Sequence, residues 1–237
     1  MDPEWVLVLI LSIPAFATLF WWIGTKFLNS TLNLLEYLEF AGLVAAIVTG
    51  GYQLYFWVQR HNHRYPTRCF KLDLDDRIPF WPRWIWIYNL LYYVMIGLTA
   101  VSIGSLEEGV HLIFGGLMLL LSGTAIFYFF PTEVPASFRD FEVTGLSTRY
   151  INFVQSFDNS RNAFPSMHCA IAAYVGLVLI DLPSLGPLIG YGFIVLLSVS
   201  CLVVKQHVIV DTLTGIALGF MVFHANHWLG EIYLGLL

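Results

Sequence analysis

The sequence predicts an all-α membrane protein, a polytopic bundle of six to seven transmembrane helices. Three observations support this fold class. Of the 237 residues, 58% are hydrophobic and only 11% are charged. Several apolar runs approach ~20 residues, the length that crosses the hydrocarbon core of a bilayer. Segments of about ten residues with alternating polarity, which indicate a membrane barrel, are not found in the sequence.

The predicted spans divide the chain into an N-terminal part and a part that carries candidate chemistry. They lie near residues 4–24, 34–58, 84–104, 109–131, 167–181, 187–204 and 208–235. The first run follows acidic residues rather than the basic segment of a signal peptide, so we expect it to remain as a helix. We expect residues 1–237 to form one integral membrane domain, with N-terminal spans in 4–131 and a catalytic half in 131–235. The chain is thus predicted to be a multi-pass protein in contact with the lipid bilayer.

A polar interval from Arg60 to Arg83 separates the second and third predicted spans. It holds six of the eleven basic residues and also Asp73, Asp75 and Asp76. A loop of this composition is typical of the cytoplasmic side of a membrane protein, where lysine and arginine accumulate. The small net charge of −5, without a longer basic run, argues against nucleic acid as a partner.

A second polar interval, residues 131–165, is longer than a simple connecting loop in a compact bundle, and loops of this length usually have a function or are disordered. The residues that recur there at helical spacing on an apolar side are Leu146, Tyr150, Phe153, Val154 and Phe157. The residues expected on the opposite side are Ser147, Arg149, Asn152 and Gln155. This pattern predicts a short interfacial helix in the 132–165 loop that lies on the membrane and roofs a site facing the lipid.

The first candidate for chemistry is the segment from Phe164 to His168. Pro165 suits the first turn of a helix, and the apolar residues after His168 continue that helix. The free amides of the first turn and the helix dipole favour an anion there, so Ser166 and His168 are candidate anion contacts. A histidine at a helix end also caps helices or faces the interface, and the motif alone leaves these alternatives open.

The second candidate is the group formed by Lys205, His207 and Asp211. Residues four apart on a continuous helix share a face, so the Asp211 carboxylate is expected to hold one nitrogen of the His207 ring. The other ring nitrogen is then presented as a base or a nucleophile. Lys205 adds a positive charge at the same membrane depth, where ionisable groups are costly and indicate function.

Together these motifs resemble those of the type 2 phosphatidic acid phosphatase superfamily. The second motif of that family reads Pro-Ser-Gly-His, and residues 165–168 resemble it with Met167 in the glycine position. The third reads Ser-Arg, five residues, His, three residues and Asp, and residues 200–211 resemble it apart from Cys201. The resemblance covers roughly the last half of the chain, from Phe130 onward, with a hairpin of spans between the motifs.

The resemblance implies a reaction and a role for each residue. His207 attacks the phosphoryl group of a membrane lipid phosphate, Asp211 orients His207, and His168 protonates the departing oxygen. A phosphohistidine intermediate follows, which water resolves in a lipid phosphate phosphatase. Neither a metal nor another cofactor is expected, because phosphoryl transfer needs positioned cations and amides above all.

Four residues are expected to bind the substrate phosphate, namely Ser166, Lys205, Arg139 and Arg161. The first motif of the family, Lys, six residues, Arg-Pro, is incomplete here. Arg139 stands at its arginine, but Thr132 stands at its lysine and Asp140 at its proline. Cys201 replaces the arginine of the third motif. The missing positive charge is therefore expected from Lys205 or from Arg161. Arg161 fits a headgroup-facing surface position equally well.

Two other functions remain open. Met167 resembles the branch with inositol phosphorylceramide synthase and sphingomyelin synthase-like transferases, in which a lipid alcohol accepts the phosphorylated headgroup. The other alternative is a transporter that kept the bundle and uses its histidines to bind an anion or relay protons. The side of the membrane is also open, since the basic loop indicates the cytoplasm, whereas superfamily members more often act on the outer or lumenal face.

Two smaller groups of residues have structural interpretations. The cysteines are Cys69, Cys169 and Cys201. Their odd number and apolar surroundings indicate packing residues rather than a disulfide framework or a zinc cluster. His224 and His227 are three apart without an accompanying Cys or acidic cluster, so we interpret them as interfacial rather than as metal ligands.

Overall fold

The structure, a computed structural model, describes residues 3–28, 30–156, 161–182 and 185–234. Its α-helices are α1 (Pro3–Phe27), α2 (Leu34–His61), α3 (Tyr92–Val101), α4 (Leu106–Phe129), α5 (Leu146–Ser156), α6 (Met167–Ile180), α7 (Gly186–Val203) and α8 (Ile209–Leu234). Short helical turns cover Asn62–Arg64, Asp73–Arg77, Pro82–Trp84, Ile87–Leu91 and Ala136–Arg139. Within the described ranges, extended segments pair only through isolated bridges and no β-strand forms. The predicted all-α membrane bundle is confirmed.

Five helices in the described part of the chain are long and apolar enough to cross a membrane. They are Leu34–Arg64, Pro82–Val101, Leu106–Phe129, Gly186–Val203 and Ile209–Ile232. Each corresponds to a predicted span. The predicted run at 167–181 corresponds to α6, which is apolar but has only 14 residues. The run at 4–24 lies within α1, a helix of 25 residues.

Polar caps explain where several of these helices begin. The Asn33 side chain accepts a hydrogen bond from the Glu36 amide, and the Glu36 carboxylate accepts one from the Asn33 amide. Ser105 and Ser166 cap the starts of α4 and α6 with their side chains. Each cap satisfies amides that a helix start leaves without a partner and stabilises the helix by ~1 kcal/mol. Pro165, predicted to lie in the first turn of α6, instead precedes its cap, because the Ser166 hydroxyl serves the first-turn amides.

The loops that carry the sequence motifs gather at one end of the bundle. The segments at this end are residues 62–84, 130–166 and 204–208. The Arg68 amide donates a hydrogen bond to the Pro131 carbonyl at 3.0 Å, and the Trp81 amide donates one to the Val203 carbonyl at 2.8 Å. The basic loop and the two motif-bearing loops therefore share one end of the bundle.

Helix α6 lies at the centre and packs closely against α7 and α8. Gly176 of α6 and Gly190 of α7 face each other, so that a Cβ on either glycine would overlap the backbone of the other. Gly215 and Gly219 of α8 approach the backbone carbonyls of Ser166, the cap of α6, and of Ala170 in its first turn in the same way. Small residues allow such close approach between membrane helices. The close contact brings the start of α8 against the start of α6.

Gly190→Ala is expected to destabilise the bundle, because the new methyl group overlaps the Gly176 carbonyl. Overpacking of this kind lowers the free energy of unfolding by about 1–3 kcal/mol. Gly192→Ala on the same helix is the matched control, because a Cβ at that position meets nothing within 4 Å. Thermal unfolding in detergent should show a lower midpoint for Gly190→Ala alone. Equal midpoints for the two variants would contradict the close contact between α6 and α7.

Helix α5 confirms the short helix predicted in the second polar interval. Leu146 and Phe153 are exposed on it, as expected of side chains that face lipid. Phe157, the last residue of the predicted apolar side, lies outside the described residues. A role for α5 as the roof of the site stays a prediction.

The inward face of α5 is centred on Ile151, which the predicted pattern assigns to neither side. Ile151 is fully buried and packs in one apolar cluster with Ile85 and other residues near the site. This contact turns Thr148 and Gln155 inward, because residues three and four positions away share its face of the helix. Gln155 is thus buried on this face and lies opposite the exposed Leu146 and Phe153, as the pattern predicts.

Candidate functional site

The two predicted histidines come together at the end of the bundle where the loops gather. The ring centroids of His168 and His207 are 6.2 Å apart, and the ring planes are inclined by 55°. His168 lies in the first turn of α6, and His207 lies in the turn between α7 and α8. A phosphorus atom at ~3–3.5 Å from a nitrogen of one ring would leave its oxygens within reach of the other ring. The arrangement therefore allows both rings to contact one phosphate.

Asp211 lies beside His207, although the two residues are not on one continuous helix, because α8 begins at Ile209. The Asp211 Oδ2 atom is 3.7 Å from His207 Nδ1, which is an ion-pair distance for a protonated ring and longer than a hydrogen bond. The same oxygen accepts a hydrogen bond from the Val208 amide at 3.3 Å. The Asp211 carbonyl accepts one from the Ser166 amide at 2.9 Å. Asp211 thus links the turn of His207 to the start of α6.

Ser166 serves the start of α6 with its side chain. The residue is 0% exposed, and its hydroxyl accepts a hydrogen bond from the Cys169 amide at 3.4 Å. This contact stabilises the helix that positions His168. A direct contact between the Ser166 hydroxyl and a phosphate stays a prediction.

Lys205 takes an uncommon backbone conformation in the turn before His207. Its φ angle is 57°, in the left-handed region that is strained for residues with a Cβ. The amides of Gln206 and His207 both donate hydrogen bonds to the Cys201 carbonyl, at 3.1 and 3.3 Å. The left-handed residue therefore lets the chain reverse tightly at the end of α7 and present His207.

The Lys205 ammonium is buried against a neighbouring loop. Nζ donates a hydrogen bond to the Asp75 carbonyl at 2.8 Å and lies 4.4 Å from the centroid of the Phe138 ring. Burial lowers the pKa of Lys205 below its ordinary value, while the negative charges of Asp75 and Asp76 oppose that shift. An ammonium has three donors, and this contact with Asp75 uses one of them. A phosphate contact of Lys205 stays a prediction.

Lys205→Gly is expected to leave the protein more stable than Lys205→Ala. Both variants lose the ammonium, but only glycine adopts the left-handed conformation without strain, a difference of about 1 kcal/mol in unfolding free energy. Thermal unfolding of the two purified variants measures this difference directly. If alanine were as stable as glycine, the φ of 57° would not be a strained feature of this turn.

Asp75 is a residue of this region that the sequence does not reveal. It is 1% exposed, its Oδ1 atom accepts a hydrogen bond from the Ile209 amide at 2.8 Å, and its Oδ2 atom accepts one from the Leu72 amide at 2.7 Å. This side chain is therefore part of the packed structure at this end of the bundle. Nothing in the sequence distinguishes it from the two exposed aspartates beside it. Through Ile209 and Lys205, Asp75 holds both sides of the turn that carries His207.

Two tyrosines surround the ring of His168. The hydroxyl oxygen of Tyr88 is 3.0 Å from His168 Nδ1. The ring centroids of Tyr88 and Tyr92 lie 4.4 and 5.0 Å from that of His168. Sequence reasoning missed both residues, because tyrosines near the end of a span are common as membrane anchors.

Cys169, which follows His168 in the chain, and Cys201 are buried packing residues, as predicted. Both are 0% exposed free thiols, with their sulfur atoms 3.6 Å apart. They form one apolar cluster with Ile85, Tyr88 and Val204. This cluster joins the helix of Tyr88 to α6 and α7. Across the residues that the structure describes, no group of three His, Cys, Asp or Glu side chains is arranged to hold a metal ion.

Thr132, at the position where the resemblance leads one to expect lysine, holds the segment that leads into α6. Its hydroxyl accepts a hydrogen bond from the Phe164 amide at 2.7 Å, and its amide donates one to the Arg161 carbonyl at 3.3 Å. The Arg161 side chain donates from Nε to Asn62 Oδ1 at 3.2 Å. Arg139 ends the short turn Ala136–Arg139 and is partly exposed. Phosphate contacts of Arg139 and Arg161 stay predictions.

Comparison with known proteins identifies one related family. A family model described as the PAP2 superfamily matches residues 81–225, more than half of the chain. The matched region contains both histidines and the tyrosines around His168, but it begins after Asp75. No curated protein and no solved structure matches the chain.

Proposed function

The chain belongs to the PAP2 superfamily, and from that premise we propose that it is a multi-pass membrane phosphatase that cleaves lipid phosphates through a phosphohistidine intermediate. Membership in the family supports a phosphatase-like activity. The observation that carries the proposal is the 6.2 Å separation between the rings of His168 and His207. Phosphoryl transfer with a nucleophile on one side of phosphorus and an acid on the other needs two such groups facing one anion.

In the first step, a nitrogen of His207 forms a bond to phosphorus while the bond from phosphorus to the leaving oxygen breaks. Because Asp211 lies on the Nδ1 side of the ring, we assign the attack to Nε2. His168 transfers a proton to the leaving oxygen, so the lipid departs as an alcohol. The Asp211 carboxylate stabilises the positive charge that His207 acquires.

In the second step, water attacks the phosphorus of the phosphohistidine. His168, now neutral, accepts a proton from the attacking water. The bond between nitrogen and phosphorus breaks, its electron pair returns to His207, and inorganic phosphate leaves. Both histidines are then in their starting protonation states, and the cycle consumes one water for each lipid phosphate.

The transferring phosphoryl group carries negative charge on its equatorial oxygens, which cations and amides stabilise. The residues that we assign to this task are Ser166, Lys205, Arg139 and Arg161. They lie in the two motif-bearing loops that gather at the end of the bundle with the histidines. Lys205 is next but one to His207 in the same turn, which supports a contact between its ammonium and the bound phosphate.

A lipid phosphate is the substrate class that suits a phosphate site at the mouth of apolar helices. The acyl or prenyl tail would remain among or beside the helices, with the phosphate at the surface of the bilayer. Exposed Leu146 and Phe153 on α5 support lipid contact beside the site. Phosphatidic acid, sphingoid phosphates, polyprenyl phosphates or diphosphates and phosphatidylglycerol phosphate all have this chemistry.

A lipid headgroup phosphotransferase is the second candidate, supported by Met167 in the glycine position of the motif. Both reactions share the first step, in which a phosphohistidine forms on His207. The difference lies in the second step, in which a lipid alcohol instead of water attacks phosphorus. Packing of Met167 against Gly123, where a Cβ would overlap its sulfur atom, is compatible with either reaction.

The decisive experiment incubates the purified protein with a panel of lipid phosphates in mixed micelles that contain a metal chelator. Inorganic phosphate and lipid products are quantified together, with and without a lipid alcohol. Phosphate release in chelator without an acceptor is the expected result. A second phosphorylated lipid that forms only when the alcohol is present would assign the chain to the transferases.

Two results would overturn the proposal. Strict dependence of phosphate release on a divalent ion would contradict the metal-free scheme. Movement of lipid across vesicle membranes, without phosphate release and undiminished in His207→Ala, would assign the chain to the transporters.

A further inference from the structure

In the proposed reaction, His168 transfers its proton from Nε2. Its other ring nitrogen, Nδ1, has a hydrogen-bond partner. Its Nδ1 atom is 3.0 Å from the hydroxyl oxygen of Tyr88. Tyr88 is 4% exposed, and the centroids of the two rings are 4.4 Å apart. The phenol therefore contacts the imidazole both through its hydroxyl and through its ring.

We propose that Tyr88 is a positioning residue for His168, which holds Nδ1 so that Nε2 faces the leaving oxygen of the substrate. The inference rests on the proposed function, in which His168 donates the proton to that oxygen. Tyr88 itself does not touch the substrate. Its effect on the reaction is transmitted through the orientation and the proton arrangement of one imidazole ring.

A phenol is suited to this task because it can donate or accept a hydrogen bond. When His168 is an imidazolium, Nδ1–H donates to the Tyr88 oxygen. After the proton has left from Nε2, Nδ1–H still donates to the same oxygen, and the ring need not turn. The reverse transfer from water in the second step then returns a proton to Nε2.

The partners of the two histidines differ in charge. His207 has the carboxylate of Asp211 on its Nδ1 side, at 3.7 Å. A carboxylate stabilises a protonated ring and so suits the residue that becomes positively charged when it bonds to phosphorus. His168 instead has the neutral phenol of Tyr88 on its Nδ1 side. The phenol orients the ring without raising its affinity for the proton that it transfers.

Contacts of neighbouring residues hold the turn that carries Tyr88. Tyr88 lies in the wide π turn Ile87–Leu91, a local geometry that is frequent at functional sites. Neighbouring side chains tie this turn to α5, since Trp86 Nε1 donates to the Ser147 hydroxyl at 3.0 Å and Asn89 donates to the Tyr150 hydroxyl at 2.8 Å.

Tyr92 offers a matched control on the same helix. Its ring centroid lies 5.0 Å from that of His168, and it is buried like Tyr88. The contacts described between Tyr92 and His168 are ring contacts only. Tyr88→Phe and Tyr92→Phe each remove one hydroxyl next to the same histidine, but only Tyr88→Phe removes a hydrogen bond to it.

The test compares two single-chain lipid phosphates of matched length, one an alkyl ester and the other a nitrophenyl ester whose ring carries the chain. The alkoxide needs a proton to leave, whereas the nitrophenolate does not. Because kcat/KM reports the first step, Tyr88→Phe should lower kcat/KM for the alkyl ester by about tenfold, the effect of one hydrogen bond to a charged group. The kcat/KM of Tyr88→Phe for the nitrophenyl ester should remain near the wild-type value. Tyr92→Phe should leave the ratio of kcat/KM for the two esters unchanged.

The ratio of the two kcat/KM values is the readout, because a loss of folded protein lowers both values equally. His168→Ala should lower the alkyl value by about 10²–10⁴-fold with a far smaller effect on the nitrophenyl ester. In the His168→Ala background, the additional Tyr88→Phe substitution should not change the ratio further.

The outcomes separate this inference from its premise. If His168→Ala left the ratio unchanged, the assignment of His168 as proton donor would fail, and the role of Tyr88 with it. If His168→Ala changed the ratio but Tyr88→Phe changed it no more than Tyr92→Phe, the inference about Tyr88 alone would be overturned.

Discussion

His207→Ala is expected to abolish phosphate release and phosphoenzyme formation together. The variant has no nitrogen that can bond to phosphorus, and the loss of a nucleophile lowers the rate by about 10⁴-fold or more. Phosphate release from a lipid phosphate in micelles measures turnover. Rapid denaturation followed by detection of an acid-labile, alkali-stable phosphoprotein measures the intermediate.

The control for this variant is His63→Ala, since His63 is an exposed histidine in a loop at the same end of the bundle. His63→Ala should keep both activities, which separates the loss of a particular ring from the loss of any histidine. Unfolding midpoints of both proteins establish that each is folded. Full phosphatase activity in folded His207→Ala would refute the assignment of the nucleophile.

Asp75→Ala is expected to have the largest effect on stability among the loop residues. Its carboxylate accepts hydrogen bonds from the Leu72 and Ile209 amides while 1% exposed. Removal of the carboxylate leaves these amides without that acceptor, and the unfolding free energy should fall by about 3–5 kcal/mol. Because the turn of His207 loses a support, kcat should fall as well. Chemical denaturation and lipid phosphate hydrolysis measure the two effects.

Two further variants separate the buried contacts of Asp75 from a general effect of charge. Asp73→Ala removes an exposed carboxylate from the same short helical turn and should change stability by less than about 0.5 kcal/mol. Asp75→Asn retains one acceptor oxygen and should recover part of both properties. Equal behaviour of Asp73→Ala and Asp75→Ala would show that the buried contacts do not stabilise the turn.

The position of Asp75 changes the interpretation of the basic loop. Its composition alone indicates a loop on the cytoplasmic side of the membrane. In the structure, the loop folds back onto the turn between α7 and α8, through Asp75 and through the Trp81 amide on the Val203 carbonyl. Asp75 precedes the region that matches the PAP2 superfamily. This chain thus supports its candidate site with a segment outside that region.

The fold could be predicted to a large extent because hydropathy and helical periodicity are local properties. The apolar runs correspond to the long helices, and the periodicity in the 132–165 loop corresponds to α5. The inward face of α5 could not be predicted, because it depends on the packing of Ile151 against residues from other segments. Local amphipathicity does not contain that information.

The side chains proposed to carry the chemistry could be predicted from the sequence, but the residues that support them could not. His168, His207 and Asp211 stand at spacings typical of a known family, and the structure brings them together. Thr132 departs from the family pattern, and only its hydrogen bonds to Phe164 and Arg161 reveal a structural role.

The sequence by itself determined the class of the protein, its helices and the residues proposed to carry the chemistry, because each follows from composition or from spacing along the chain. Only the tertiary structure decided which nitrogen of His168 meets Tyr88, and which of three neighbouring aspartates is buried on the turn of His207. The physical reason is that both depend on contacts between residues far apart in the chain, whose geometry is set by the packing of whole helices and loops.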